Sequence, residues 1–162
     1  MRIHDIMSSP VITVTPETTL ERAASLMLEN KIGSLVVVRP SNPARPVGIV
    51  TETDFDLHGE GLPGVGYSWF KLPVVLGTTV WSEPGFEDVY ERARGLPVEQ
   101  VMNAPCVTTD ENEEPMDAAR RMVRHGIRHL PVLRDGELVG IVTALDFLVL
   151  LAGRPARHGS PV

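Results

Sequence analysis

The sequence is short of several things, and each shortage excludes a class of protein. It has one cysteine, Cys106, among 162 residues, so no intrachain disulfide can form. Acidic residues outnumber basic ones, 21 to 15, for a net charge of −6. That balance argues against a nucleic-acid or anionic-membrane binder, which needs a basic face. No stretch approaches the ~20 apolar residues of a membrane span. The N-terminus lacks the basic-then-apolar pattern of a secretory signal, so a cytoplasmic protein is expected. No Ser/His/Asp or Cys/His set stands near a nucleophile turn, and no phosphate loop of P-loop spacing occurs. His125 and His129 are four apart, but Gly126 lies between them and breaks the helix that a metal pair would need. Aromatic residues are scarce at 5%. The remaining composition, 43% apolar with mean hydropathy near zero, is that of an ordinary globule.

What is present is a sentence written twice. IMSSPVITV around Met7 returns as VMNAPCVTT around Met102, and PVGIVTETDF returns as LVGIVTALDF. Pro10 matches Pro105, Thr13 matches Thr108, Met27 matches Met122 and Leu35 matches Leu130, all at one offset of 95. The offset drops to 92 after the loop at Pro40–Pro46, three residues longer than its counterpart. An internal repeat decides the architecture. Two units too small to be stable alone should stack and share a core.

Each copy reads as strand, helix, strand, strand, helix. In the first, Val11–Val14 is a strand and Thr15-Pro16 starts a helix, a polar cap followed by proline. Leu20, Ala23, Ala24, Met27 and Leu28 form its apolar stripe, and Asn30 or Lys31 ends it. In the second, Asp110 is the expected cap and His125-Gly126 the stop. Ser34–Val38 with Val47–Thr51, and Leu130–Leu133 with Leu138–Thr143, are the strand pairs. Asp135-Gly136 is a hairpin signal in the second pair; the first is joined by an exposed loop, SNPAR. The closing helix Ala144–Ala152 is apolar on nearly every side, so part of it should pack on the core and the rest on another copy of the chain. Cys106 aligns with Val11 and reads as a small buried hydrophobe.

Residues 58–97 are not repeated. They hold Trp69, Trp81, Tyr67, Tyr90, Phe70 and Phe86, too much aromatic surface for a flexible linker. A short helix is predicted over Phe86–Arg94. The segment either patches the side of the domain or covers a cleft or partner surface.

The doubled Met-x-x-x-Val/Ile-Thr opening, the Ile-x-x-Leu-x-Val middle (Ile32–Val37 and Ile127–Val132) and the Gly-Ile-Val-Thr-x-x-Asp close resemble a tandem pair of CBS domains, the family named after cystathionine β-synthase. The likeness covers residues 2–57 and 98–152, with 58–97 as an insertion and 153–162 as a tail, in what would be a stand-alone member. It implies an α/β fold: two pseudo-symmetric β-α-β-β-α repeats packed as one module with clefts between them. It also implies a regulatory ligand, an adenine nucleotide such as AMP, ADP or ATP, or S-adenosylmethionine, with no cofactor required. A homodimer and a protein target are implied as partners.

The resemblance carries site roles over position by position. Asp54 and Asp146 would bond ribose hydroxyls, and Thr51 and Thr143 would approach phosphate. Main chain around Thr13 and Thr108 would grip the base. Gly33 and Ser34 in one copy, and Arg128 and His129 in the other, would reach the phosphates across the clefts. By that geometry Asp54 shares a cleft with Arg128 and His129 and takes the more charged ligand, although Glu52 counts against it.

The chemistry is sound, because helix starts present unpaired N–H groups to an anion and a carboxylate accepts two bonds from a diol. Thr-x-x-Asp is equally a capping box, and the two roles are compatible. The expected function is that of a sensor, not an enzyme. The alternatives are a structural dimerisation module with empty clefts, and an enzyme whose chemistry lies in the insertion.

Overall fold

The structure, a computed structural model, describes residues 1–55, 91 and 93–153. Residues 58–90 and 92 of the insertion, with all its aromatic side chains, and residues 154–162 of the tail lie outside the described residues, as does most of the helix predicted over Phe86–Arg94.

In the first repeat, β1 (Thr13–Val14) pairs parallel with β2 (Ser34–Arg39), which pairs antiparallel with β3 (Asn42–Thr51). Helix α1 (Leu20–Asn30) crosses between β1 and β2. The second repeat has the same plan: β4 (Thr109–Asp110), α2 (Pro115–His125), β5 (His129–Arg134), β6 (Glu137–Thr143), then α3 (Ala144–Leu151). Among the described residues, a 3₁₀ turn, Glu52–Phe55, stands where α3 begins in the second copy.

Both crossing helices start later than the sequence predicts. Thr15 and Thr18 lock a turn instead, the Thr15 N–H donating to Thr18 Oγ1 at 3.1 Å and the Thr18 N–H to Thr15 O at 3.0 Å. Thr19 then caps α1, accepting from the Arg22 N–H. Asp110 is not a cap but the end of β4, its carboxylate accepting from the Asn112 N–H in an Asx turn. Helix α2 begins at Pro115 after Glu114, where a missing N–H costs nothing. The stops fall as expected, with Lys31 (φ 55°) and Gly126 (φ 63°) left-handed.

The first hairpin also differs from expectation. It keeps a tight turn at Pro40-Ser41, with Arg39 opposite Asn42, and β3 starts there. The three extra residues go into the strand, because Val38 pairs with Pro46 while Arg39 pairs with Asn42. A bulge absorbs them at the sheet edge.

Alternation along the strands gives each sheet two buried faces. Leu35, Val37 and Val50 pack against Leu20, Ala23 and Met27 of α1. Leu130, Val132 and Val142 pack against Ala118 and Met122 of α2. The opposite faces meet each other through Val36, Val38, Ile49 and Ile141, with Val11, Leu138 and Cys106 packed alongside. Burial pushes the Cys106 thiol up to about 11, so it is a packing residue rather than a reactive one.

The segments leading into each repeat are exchanged. Ile3 and Ile6, ahead of the first repeat, are buried in the core of the second. Val98 and Val101, ahead of the second, are buried in the core of the first. The exchange is held by matched bonds: the Ile3 N–H donates to Glu113 O at 3.0 Å and the Val98 N–H to Thr18 O at 2.8 Å. Each segment then runs along the other repeat's sheet, Ser8 bridging Ile141 and Asn103 bridging Ile49. Gly48 and Gly140 make this approach possible. A Cβ on Gly48 would lie 2.7 Å from Met102 Sδ and 3.0 Å from Asn103 O, and one on Gly140 would lie 2.5 Å from Met7 Sδ and 3.1 Å from Ser8 O.

A residue so near the N-terminus would ordinarily be expendable. Here Ile3→Ala is expected to cost about 2–5 kcal/mol, the range for truncating a buried isoleucine. Arg2→Ala, which removes only an exposed ion pair to Glu114 at 3.6 Å, should cost under ~1 kcal/mol. Urea unfolding measures both. An Ile3→Ala midpoint equal to wild type would show that this segment does not close the second core.

Candidate functional site

The layer between the two sheets is where the site residues meet. Ile49 and Ile141 face it, so two residues further on Thr51 and Thr143 face it as well. Ser34 lies directly opposite Thr51, and His129 directly opposite Thr143. Opposed residues of an antiparallel pair share a face, which puts Ser34 and His129 in the same layer. Thr13 is aligned with Val36 on the parallel edge and joins them. Thr108 is out of phase with Thr109, the partner of core-facing Val132, so it too faces the layer. Each repeat therefore contributes a threonine at the end of its last strand and a polar residue opposite it.

Hydrogen bonds between strand ends join these residues within their own repeat. The Glu52 N–H donates to Gly33 O at 3.0 Å, and the Ala144 N–H donates to Arg128 O at 2.9 Å. Gly33 and Ser34 thus flank Thr51, while Arg128 and His129 flank Thr143. The Glu52 carboxylate lies over Gly33, Oε2 falling 2.8 Å from where a Cβ would stand. Arg128 is exposed and makes no ion pair among the described residues.

Thr143 and Asp146 form a capping box, and Asp54 makes the same carboxylate contacts with Thr51. Asp146 Oδ2 accepts from the Thr143 N–H at 2.7 Å and from Thr143 Oγ1 at 2.9 Å. Asp54 Oδ2 accepts from the Thr51 N–H at 2.8 Å and from Thr51 Oγ1 at 3.3 Å. Both aspartates are buried. The cap fixes each carboxylate against the start of its helical turn, at the edge of the inter-repeat layer.

The two copies then diverge. Asn103 Nδ2 donates to Asp54 at 3.3 Å to Oδ1 and 3.2 Å to Oδ2, and Thr53 shares a 2.8 Å hydrogen bond with the Thr51 hydroxyl. The positions equivalent to Asn103 and Thr53 in the second copy are Ser8 and Leu145. Arg121 donates to Thr108 O at 3.1 Å while its guanidinium forks onto Glu113, both bonds 2.7 Å. Leu26 occupies the equivalent place in the first repeat and offers no donor, so main chain at Thr13 and Thr108 is not equally placed to grip a base. Sequence reasoning passed over Asn103, Ser8 and Thr53. The signal was available: the offset of 95 aligns Ser8 with Asn103, a polar residue after a methionine in both copies.

Among the described residues, no group of three or more His, Cys, Asp or Glu side chains is placed to hold a metal ion. No helix there is long and apolar enough to cross a membrane.

A duplicated α/β module, its sheets back to back and a Thr-x-x-Asp turn at the end of each last strand, defines the class of the fold. The chain belongs to the CBS domain family, which matches residues 3–56 and 98–153. It is 34% identical over 151 residues to the uncharacterized protein MJ1404 of Methanocaldococcus jannaschii, covering 93% of this chain and 32% of that protein. It thus spans about a third of that relative's length. The CBS domain pair of protein MJ0100, solved with 5′-methylthioadenosine and S-adenosyl-L-methionine, superposes with a TM-score of 0.66 at 22% identity over 94% of this chain and 97% of that one. CBSX2, solved with AMP, gives 0.64 at 21% identity over 94% of this chain and 96% of its own. These structures share the fold.

His129 makes the site sensitive to pH. Burial, reinforced by the adjacent Arg128 charge, lowers its pKa to about 4. The unfolded chain binds the proton near pH 6.5 while the folded one resists it, so stability falls as pH drops from 6.5 towards 4. The difference integrates to about 3 kcal/mol at most. Urea titrations of wild type and His129→Gln between pH 7 and 4.5 should diverge, the variant losing less. Parallel curves would mean the imidazole is not held neutral.

Proposed function

We propose that this chain is a regulatory module, not an enzyme, that binds an adenosine-containing ligand in the grooves between its repeats. The observation that carries the proposal is convergence. Ser34 with Thr51, and His129 with Thr143, face one inter-repeat layer, each pair beside a buried aspartate at the start of a helical turn. A helix start favours phosphate, and an oriented carboxylate favours a vicinal diol. Thr51 and Thr143 are the phosphate-side hydroxyls, Asp54 and Asp146 hold ribose, and main chain at Thr13 and Thr108 lies against the base. Gly33 and Ser34 line one groove, and Arg128 and His129 bring charge to the other. The ligands of the CBS pairs described above, AMP and S-adenosylmethionine among them, support the class of ligand.

Leu145, Leu148 and Leu151 form an exposed stripe on α3, while Phe147 and Leu150 pack on the second core. A homodimer through this stripe is the assembly proposed. Ligand binding would regulate a protein target to the extent that the ligand binds two arrangements of the module with different affinity.

A second reading is favoured by the Thr–Asp contacts, which account for Thr51, Asp54, Thr143 and Asp146 with no ligand at all: a structural dimerisation module. Thermal unfolding with AMP, ADP, ATP and S-adenosylmethionine separates the two. A ligand at one hundred times its Kd adds about 2.7 kcal/mol of stability. A protein that is dimeric by mass, yet whose Tm moves with none of the four, is the structural module. Asp146→Ala should weaken binding at least tenfold by calorimetry, while losing the cap costs ~1 kcal/mol. An unchanged Kd would remove Asp146 from the site.

A further inference from the structure

The exchanged lead-in segments place one side chain against each inter-repeat groove in the same register. Asn103 bridges Ile49, with N–H···O bonds of 2.8 and 3.1 Å, and Ser8 bridges Ile141 with bonds of 2.9 and 3.0 Å. Ile49 and Ile141 are equivalent and face the inter-repeat layer, so the side chains opposite them face it too. Asn103 bears this out by reaching Asp54.

Ser8 is the odd partner. Its side chain is 0% exposed and its hydroxyl has no hydrogen-bond partner. A buried hydroxyl left unpaired is costly, and such groups are rare enough to need a reason. Serine ends one bond earlier than asparagine. At this register it stops short of where an amide meets the acid, by about the span that one intervening oxygen closes with two O–H···O bonds of ~2.7 Å. A hydroxyl fits both sides of that gap, accepting from the Ser8 hydroxyl and donating to the Asp146 carboxylate, which as an ionised group only accepts.

We propose that Ser8 and Asp146 together hold one hydroxyl of the ligand's sugar, in the place that the Asn103 amide takes against Asp54, and that the second-repeat groove is therefore the tighter of the two. This rests on the reading of the grooves as adenosine-ligand sites. In the first groove the Asn103 amide competes with the sugar for the acid. The Ser34 hydroxyl is also buried and unpartnered, and it lies opposite Thr51 in its own sheet. Residue 8 thus sets which groove fills.

The test is reciprocal and uses the whole chain, titrated calorimetrically with AMP and with S-adenosylmethionine. Wild type should bind one equivalent tightly. Ser8→Asn should weaken that event more than tenfold, with the unliganded Tm equal to or above wild type because the new amide reaches the acid. Asn103→Ser should add a second binding event per chain. Deoxy analogues lacking the 2′- or 3′-hydroxyl should separate wild type from Ser8→Asn less than the parent ligand does. If Ser8→Asn does not fold, Ser8→Ala decides, with tenfold weaker binding expected. Ser8→Asn or Ser8→Ala binding within twofold of wild type, as a buried water on Ser8 would give, overturns the proposal. So do two equal sites in wild type, although these would leave the adenosine reading standing. Wild type that binds neither ligand overturns the reading itself.

Discussion

Each repeat's core is closed by apolar side chains belonging to the other repeat's approach. Ile3 and Ile6 complete the second core, and Val98 and Val101 the first. Two matched bridges, Ser8 to Ile141 and Asn103 to Ile49, carry the approaching strands across. Burying an isoleucine or valine removes roughly 1.5–3 kcal/mol of exposed-surface cost each, a large share of the ~5–15 kcal/mol by which domains are stable. The two halves are therefore one cooperative object.

The same constraint builds the candidate sites. A threonine at a strand end and an aspartate three residues on would make an ordinary capped turn on any α/β protein. What distinguishes this pair is that a foreign backbone runs past each turn, close enough that Gly48 and Gly140 must lack a Cβ. The passing strand presents its own polar side chain to the cap. Where that side chain is asparagine, its amide donates to the carboxylate; where it is serine, a buried hydroxyl is left over. Point differences between otherwise matched sites are how a duplicated fold acquires two sites of unequal chemistry.

Much of this was legible from residues alone. The offsets of 95 and 92 show which positions are equivalent, and the resemblance to a tandem CBS pair singles out Thr51, Thr143, Ser34 and His129; that each pair stands directly opposed across a strand ladder comes from the structure. The exchange of lead-in segments was not legible, for a physical reason. A repeat aligned with itself shows that Ile3 corresponds to Val98, but both cores offer the same kind of pocket, so pattern cannot tell which copy each residue enters. The late helix starts were hidden because Thr15-Pro16 carries a good local cap signal, which the Thr15–Thr18 turn overrides. The extra residues at Asn42–Pro46 read as a longer loop, since a bulge and a loop have the same composition. The capping role of Thr-x-x-Asp was visible. That Asn103 would join it was not, because the two are 49 positions apart.

The exchange also sets an order on how the chain can be made. The first sheet and α1 leave the ribosome with their core open, because Val98 and Val101 are still untranslated, while Ile3 and Ile6 emerge with no partner sheet to receive them. Domains usually fold as units from the N-terminus during synthesis, and this one is denied that route. The nascent first half must stay unfinished until the second has been made, so biogenesis is all-or-nothing, and a stalled or cleaved half-chain exposes apolar surface to chaperones and proteases.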